Sequence, residues 1–262
     1  MLINGLKIIP NTLLEAFQAH IDFDLVEAIS TKSATAIPFD YFNFYNSISA
    51  VYSSKIEGEN IEVDSFIKHR FLKVKYEPDY TKKADDLAAA YEFIQTKKLN
   101  KKNVLKVHSI LSKHLLAKSQ RGKIRANPMF VLNEEDRIEY VACEPHQVKE
   151  AWKELFHDVK LLLKSELTIT DTFYYAAFIH LIFLKIHPLQ DGNGRTARLI
   201  EKWFLLRKLG KKATAIELEK YYYQNKPAYY NNIRVLGLDY ELLDYSRAIN
   251  FLLMTIESLK PK

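Results

Sequence analysis

Apolar residues along this 262-residue chain recur mostly at three- and four-residue intervals, the period of helices, and seldom at the two-residue interval of strands. Between Phe44 and Ile56, the residues Ile48, Tyr52 and Ile56 return every fourth position, and Gly58 follows as a helix stop. Further helices are expected over 63–72, over 84–95 (Leu87, Ala88, Tyr91 and Ile94 on one face) and over 102–116. A stronger stripe, Val148, Trp152, Leu155, Phe156, Val159 and Leu162, marks 147–163 as amphipathic. Residues 169–186 are apolar almost all round and read as a central buried helix, too short and too polar at its ends for a membrane span. Helices at 194–209, near 226–236 and near 240–259 complete the series. One segment is strand-like: Met129–Leu132 and Ile138–Val141 flank the polar turn Asn133-Glu134-Glu135-Asp136 and predict a hairpin. The pattern therefore predicts an all-α fold carrying one β-hairpin.

Composition narrows this further. With 48% hydrophobic residues the chain can bury a real core, and only 7 Gly and 8 Pro argue against the many tight turns of a sandwich or barrel. The N-terminus has no cationic leader ahead of an apolar run, and the single Cys143 cannot form an internal disulfide. A cytoplasmic protein with no membrane partner is the expectation. The net charge of +6 suits a polyanion, yet the lysine clusters at 97–102 and 208–212 fall where helices end or turn. No basic stripe interleaved with aromatic residues is present, so nucleic acid is not an expected partner.

The chemistry concentrates in Ile186-His-Pro-Leu-Gln-Asp-Gly-Asn-Gly-Arg-Thr-Ala-Arg198. Pro188 ends the buried helix and biases His187 away from the α region, so His187 sits at the mouth of a core element. Gly192 and Gly194 bracket Asn193, and a new helix begins there, so unpaired amides and the positive dipole end can cradle a phosphate. Arg195 and Arg198, three residues apart, can present two guanidinium forks to one side. Asp191 lies just upstream, where a carboxylate facing phosphates holds Mg²⁺. A titratable base, an amide cradle, a metal carboxylate and two arginines are the inventory of phosphoryl and nucleotidyl transfer. By contrast His180, seven residues before His187 within an apolar helix, reads as a satisfied core histidine.

This stretch resembles the motif of the Fic family, His-Pro-Phe-x-Asp/Glu-Gly-Asn-Gly-Arg-x-x-Arg, at every fixed position but one: Leu189 stands in place of Phe. The resemblance covers about residues 40–240 and implies a helical Fic-type core, residues 76–262, in which the hairpin is a flap. It implies transfer of AMP from Mg·ATP to hydroxyl side chains of target proteins. His187 would then be the general base, Asp191 the Mg²⁺ ligand, and Gly192, Asn193 and Gly194 the phosphate cradle. Arg195 would contact the β-phosphate and Arg198 the γ-phosphate. Tyr229 and Tyr230 resemble a Tyr-Tyr step near the nucleotide base, where a ring could stack on adenine. Gly122-Lys-Ile-Arg125 is also family-like, without a catalytic role to transfer. Within an N-terminal helical region, residues 1–75, Ser53-Ser-Lys-Ile-Glu57-Gly58 resembles the family's inhibitory pattern, in which the glutamate takes the second arginine and occupies the γ-phosphate position. Glu201, at i+3 on the arginine's own helix, is a rival partner for Arg198.

Three functions are compatible with these residues. The first is a self-inhibited protein adenylyltransferase, with a Ser, Thr or Tyr of a target docked on hairpin 129–141, although the hairpin reads equally as an ordinary surface feature. The second is removal of AMP, or transfer of another phosphate-linked group, by the same site. The third is a nucleotide-sensing, toxin–antitoxin-like interaction module, against which the intact His187 and Asp191 argue, since neither is needed merely to bind. A homodimer stays open.

Overall fold

The computed structural model describes residues 3–33, 40–132 and 137–260. Two short helices that the apolar spacing does not predict come first, α1 (Leu14–Ala19) and α2 (Leu25–Ser33). They are followed by α3 (Tyr41–Ile56), α4 (Val63–Leu72), α5 (Pro78–Thr96) and α6 (Lys101–Leu111). Helix α5 begins earlier than its apolar face because Pro78 occupies the first turn, where a missing N–H costs nothing. Helix α6 is shorter than the expected 102–116. The Ser112 hydroxyl donates to the His108 carbonyl at 2.6 Å, and Asp86 captures the His114 N–H and ring from α5.

The hairpin pairs β1 (Phe130–Leu132) with β2 (Ile138–Val141), antiparallel with a bulge at Val131/Leu132. The polar turn 133–136 expected between them lies outside the described residues. Helices α7 (Pro145–Lys164), α8 (Ile169–Ile186) and α9 (Asn193–Leu209) form the centre of the fold, and α10 (Leu218–Gln224), α11 (Lys226–Arg234) and α12 (Ile249–Glu257) close it. The single helix expected over 240–259 is broken. Asp239 and Asp244 each turn a carboxylate onto the amide two residues ahead, and two 3₁₀ turns replace the first half.

Helix α8 has the length and mean hydropathy of a membrane span, contrary to the sequence reading. It serves instead as the core of the fold, packed by α9, α7, α12, α1 and α2. A capping box of Thr168 and Asp171 starts it. Helix α3 packs on α5, α10 and the face of α9, which brings its C-terminus to the loop between α8 and α9. That approach is held by a buried polar cluster. Glu219 of α10 accepts from Ser49 of α3 at 2.9 Å, from Tyr91 of α5 at 2.8 Å and from Lys202 of α9 at 3.3 Å.

Removing one partner of a buried ion pair leaves an uncompensated charge, which costs about 3–5 kcal/mol. Glu219→Ala is therefore expected to lower unfolding free energy by about that amount. An unchanged urea midpoint contradicts the assigned role of the cluster.

Candidate functional site

The α8–α9 loop begins with a strained residue. His187 has φ 52, in the left-handed region, and its N–H still bonds to the Phe183 carbonyl at 3.0 Å, capping α8. Contacts from Ile124 and Arg125, outside the motif, hold this turn. The Arg125 amide donates to Pro188 O at 2.9 Å, and its guanidinium donates to His187 O at 2.6 Å and also reaches the carbonyls of Asn127, Cys143 and Ile186. Ile124 and Leu189 form an antiparallel bridge. Leu189 is completely buried, so the residue that replaces Phe seats the loop in the core.

His108 of α6 ties the far side of the loop. Its Nε2 donates to the Asp191 carbonyl at 3.0 Å, and its Nδ1 accepts from the Gly122 amide at 3.0 Å. Only the neutral ring can do both. The sequence carries no sign of His108 and marks Arg125 only as part of a family-like segment without a role, because their partners lie 83 and 62 residues away.

The Asn193 side chain is spent within the loop. It accepts from Leu189 N at 3.0 Å and donates to Leu189 O at 2.9 Å, closing the loop on itself. Both polar ends are taken and the residue is buried, so only its main chain can serve an anion. Asp191 is exposed, with one carboxylate oxygen on the Gly192 amide at 2.5 Å. Gly192, at φ 74, is the N-cap of α9.

His187 Nδ1 lies 3.1 Å from the Leu184 carbonyl, which can only accept, so the proton sits on Nδ1 and the Nε2 lone pair is left as a base. Burial lowers its pKa from 6.5 to about 4, against the opposing pull of nearby carboxylates. The ring lines a cavity of about 820 Å³ whose walls include Glu57, Gly194, Arg198, Tyr230 and Tyr140 of the hairpin, a size that suits a nucleotide.

Arg198 is 1% exposed. Its Nη2 lies 2.6 Å from Glu57 Oε1 and 3.0 Å from the Ser53 carbonyl, its Nε donates to Ser53 Oγ at 2.9 Å, and its Nη1 approaches the Tyr229 hydroxyl at 3.4 Å. Burial works against both charges, but the pairing wins: the arginine's pKa is raised and the glutamate's is held below the usual range by Arg198 and Arg195. The rival Glu201 is engaged elsewhere, by His180 Nδ1 at 2.7 Å and the Tyr222 hydroxyl at 2.9 Å.

Glu57 is delivered by the end of α3. Gly58, at φ 87, turns the chain so that its amide bonds to Lys55 O and the Glu59 amide to Ser54 O. The carboxylate then lies over Gly194, inside the space a Cβ would need. Arg195 is paired as well, 3.2 Å from Glu59, a contact the sequence reading does not contain.

Of the Tyr-Tyr pair, Tyr229 lines the cavity with little of its ring. Its ring is 1% exposed and packs against Tyr222, His180 and Phe251. What it offers the site is its hydroxyl, set between Arg198 and His180 Nε2 at 3.0 Å. Tyr230, only partly buried, donates to Ile56 O at 3.3 Å and leaves its ring along the cavity.

A loop of this geometry, on this helical scaffold, can be compared with known proteins. Residues 98–205 match the Fic/DOC family. The Fic/DOC match takes in His108, Arg125 and the whole of 187–198, and leaves out α3 with Ser53, Glu57 and Gly58, and α11 with its two tyrosines. Solved Fic proteins share the wider fold. A Fic family protein from Desulfovibrio desulfuricans G20 superposes with a TM-score of 0.73 at 16% identity, covering 98% of this chain and 74% of that one. A Fic domain containing signaling protein from Bacteroides thetaiotaomicron VPI-5482 gives 0.65 at 18%, covering 89% and 93%. Fic-1 from C. elegans gives 0.62 at 18%, covering 95% of this chain and 66% of its own. The hairpin-bearing helical architecture is thus the Fic fold.

The two neutral histidines set a pH dependence. Burial lowers His108 and His187 from 6.5 to about 4 each, so the unfolded chain binds these protons first as pH falls. Stability is then full above pH 6.5 and is lost as pH drops from 6.5 towards 4, by on the order of 2 kcal/mol per histidine at pH 5. Urea titrations at pH 7 and pH 5 check this, and a midpoint that stays level across that interval rules out the neutral pair.

Proposed function

We propose that this protein transfers AMP from Mg·ATP to hydroxyl side chains of target proteins, and of itself, and that Glu57 holds the activity off. The observation that carries the reading is the Glu57–Arg198 pair over Gly194, a carboxylate lodged where a helix N-terminus and an arginine would otherwise take a terminal phosphate. The hydroxyl oxygen of the target bonds to the α-phosphorus, the bond from that phosphorus to its bridging oxygen breaks, and pyrophosphate leaves. The proton of the hydroxyl goes to His187 Nε2, the unprotonated nitrogen. Arg195, Arg198 and the amides at the start of α9 neutralise the phosphate charge.

Mg²⁺ would supply further neutralisation of that charge, with Asp191 as its protein ligand. The donor set fits this cation. Asp191 is exposed with an oxygen to spare, and among the described residues no group of three His, Cys, Asp or Glu side chains gathers to hold a metal alone. A cation that takes one carboxylate and arrives with phosphates meets that condition.

The hairpin is the docking edge in this reading. Phe130, Leu132 and Ile138 are about half exposed on its outer face, while Tyr140 points inward and donates to Lys185 O at 2.7 Å. A target strand laid along β1 would be recognised through its backbone. Phe130→Asp with Ile138→Asp should reduce modification of a protein target more than self-modification. Equal loss of both removes the docking role.

Glu57→Gly should free Arg198 for a phosphate. One charge-assisted contact corresponds to about ten- to a hundredfold in rate or affinity. Mass spectrometry after incubation with ATP is expected to show AMP on the protein at that increased rate. Glu57→Gly with Arg198→Ala should lose most of the gain, because both changes act on one phosphate. If Glu57→Gly modifies nothing faster than the wild type, the inhibitory reading fails.

A further inference from the structure

Two residues past Glu57, the same turn delivers a second carboxylate to the same loop. Glu59 Oε1 lies 3.2 Å from Arg195 Nη2 and 2.7 Å from Lys83 Nζ. Lys83 belongs to α5, outside the matched residues 98–205, and nothing in the motif points to it. One oxygen accepting from both cations places the guanidinium and the ammonium within 2.7 + 3.2 = 5.9 Å of each other. Two like charges that close are held together by the anion between them.

The three groups differ in freedom. The Arg195 side chain is 7% exposed, whereas Glu59 is 27% and Lys83 37% exposed. The arginine is fixed on the first turn of α9, and the carboxylate sits on the rim with solvent to swing into. We propose that Arg195 and Lys83 form a subsite for an oxygen of a polyphosphate chain, and that Glu59 Oε1 marks its place. Lys83 is then a nucleotide-binding residue beyond the loop motif. The two carboxylates flanking Gly58 block one arginine each, Glu57 on Arg198 and Glu59 on Arg195.

The identity of the ligand as a nucleotide rests on the proposed function; binding of a bare diphosphate does not. Pyrophosphate with Mg²⁺ is therefore the probe, measured by calorimetry on the Glu57→Gly, Glu59→Gln protein. Adding Lys83→Gln, which keeps most of the stem, should weaken pyrophosphate binding about tenfold, and Lys83→Arg should restore most of it. AMP, which carries no β-phosphate, should bind all three proteins alike. In the otherwise wild-type chain, Glu59→Gln alone should strengthen pyrophosphate binding. Equal pyrophosphate affinity with and without the Lys83 ammonium overturns the subsite and leaves Lys83–Glu59–Arg195 as a tie between α5 and α9. Lys83-dependent pyrophosphate binding without AMP transfer in any variant would reject the proposed function and keep the subsite.

Discussion

A guanidinium at 1% exposure is the constraint around which the site is organised. Arg198 cannot shed its charge, and an arginine without partners in the interior would cost far more than the fold can supply. Four of its five N–H groups have acceptors: Ser53 twice, Glu57 and Tyr229. The last of these is itself oriented. His180 gives its Nδ1 proton to Glu201, so its Nε2 accepts from the Tyr229 hydroxyl, and the tyrosine oxygen is left with lone pairs for Arg198. A polar thread thus runs from Glu57 through Arg198, Tyr229 and His180 to Glu201, beside the second buried polar cluster around Glu219.

The loop before it obeys a related logic. A histidine at positive φ and a turn with few bonds of its own would be mobile if left alone. Arg125 holds the His187 carbonyl from one side, His108 holds the Asp191 carbonyl from the other, and Asn193 closes the middle on Leu189. These three side chains are spent on the loop itself, and they fix the His187 ring and the amides at the start of α9 in place. A neutral His108 suits this position, since a protonated ring could not accept from Gly122.

The division between what was legible in the sequence and what was not follows from distance along the chain. Residues 187–198 are readable because base, cradle and arginines lie within one loop and one turn of helix, and local geometry follows from Pro and Gly. Glu57 is readable because its own motif is contiguous, yet its pairing with Arg198 over Glu201 depends on His180 and Tyr222 claiming the rival. Lys83 and His108 carry no local signature, as each is a single polar residue on a helix whose partner is far away in sequence, and Arg125 stands in a family-like segment that does not reveal its partner. The Asn193 side chain shows a different limit: an amide has many possible partners, and its closure on Leu189 follows only from the folded loop. The first helices escape notice because they are short, and the helix expected over 240–259 fails because Asp239 and Asp244 favour local turns.

Electrostatic balance links these points. With Glu57 and Glu59 seated, each arginine of the loop has its anion and the α3 turn is pinned to α9. Withdrawing the carboxylates without replacement would leave two cations, one of them wholly buried, beside a helix N-terminus that already favours negative charge. Phosphates are the natural replacement, because they bring the same charge to the same donors. In the proposed function, opening of the turn and arrival of an anion are therefore one event thermodynamically: each state of the site needs negative charge on Arg198, and what changes is whether the protein or the ligand provides it. On this argument the strength of the hold is set less by the Glu57–Arg198 contact alone than by the difference between two well-compensated states.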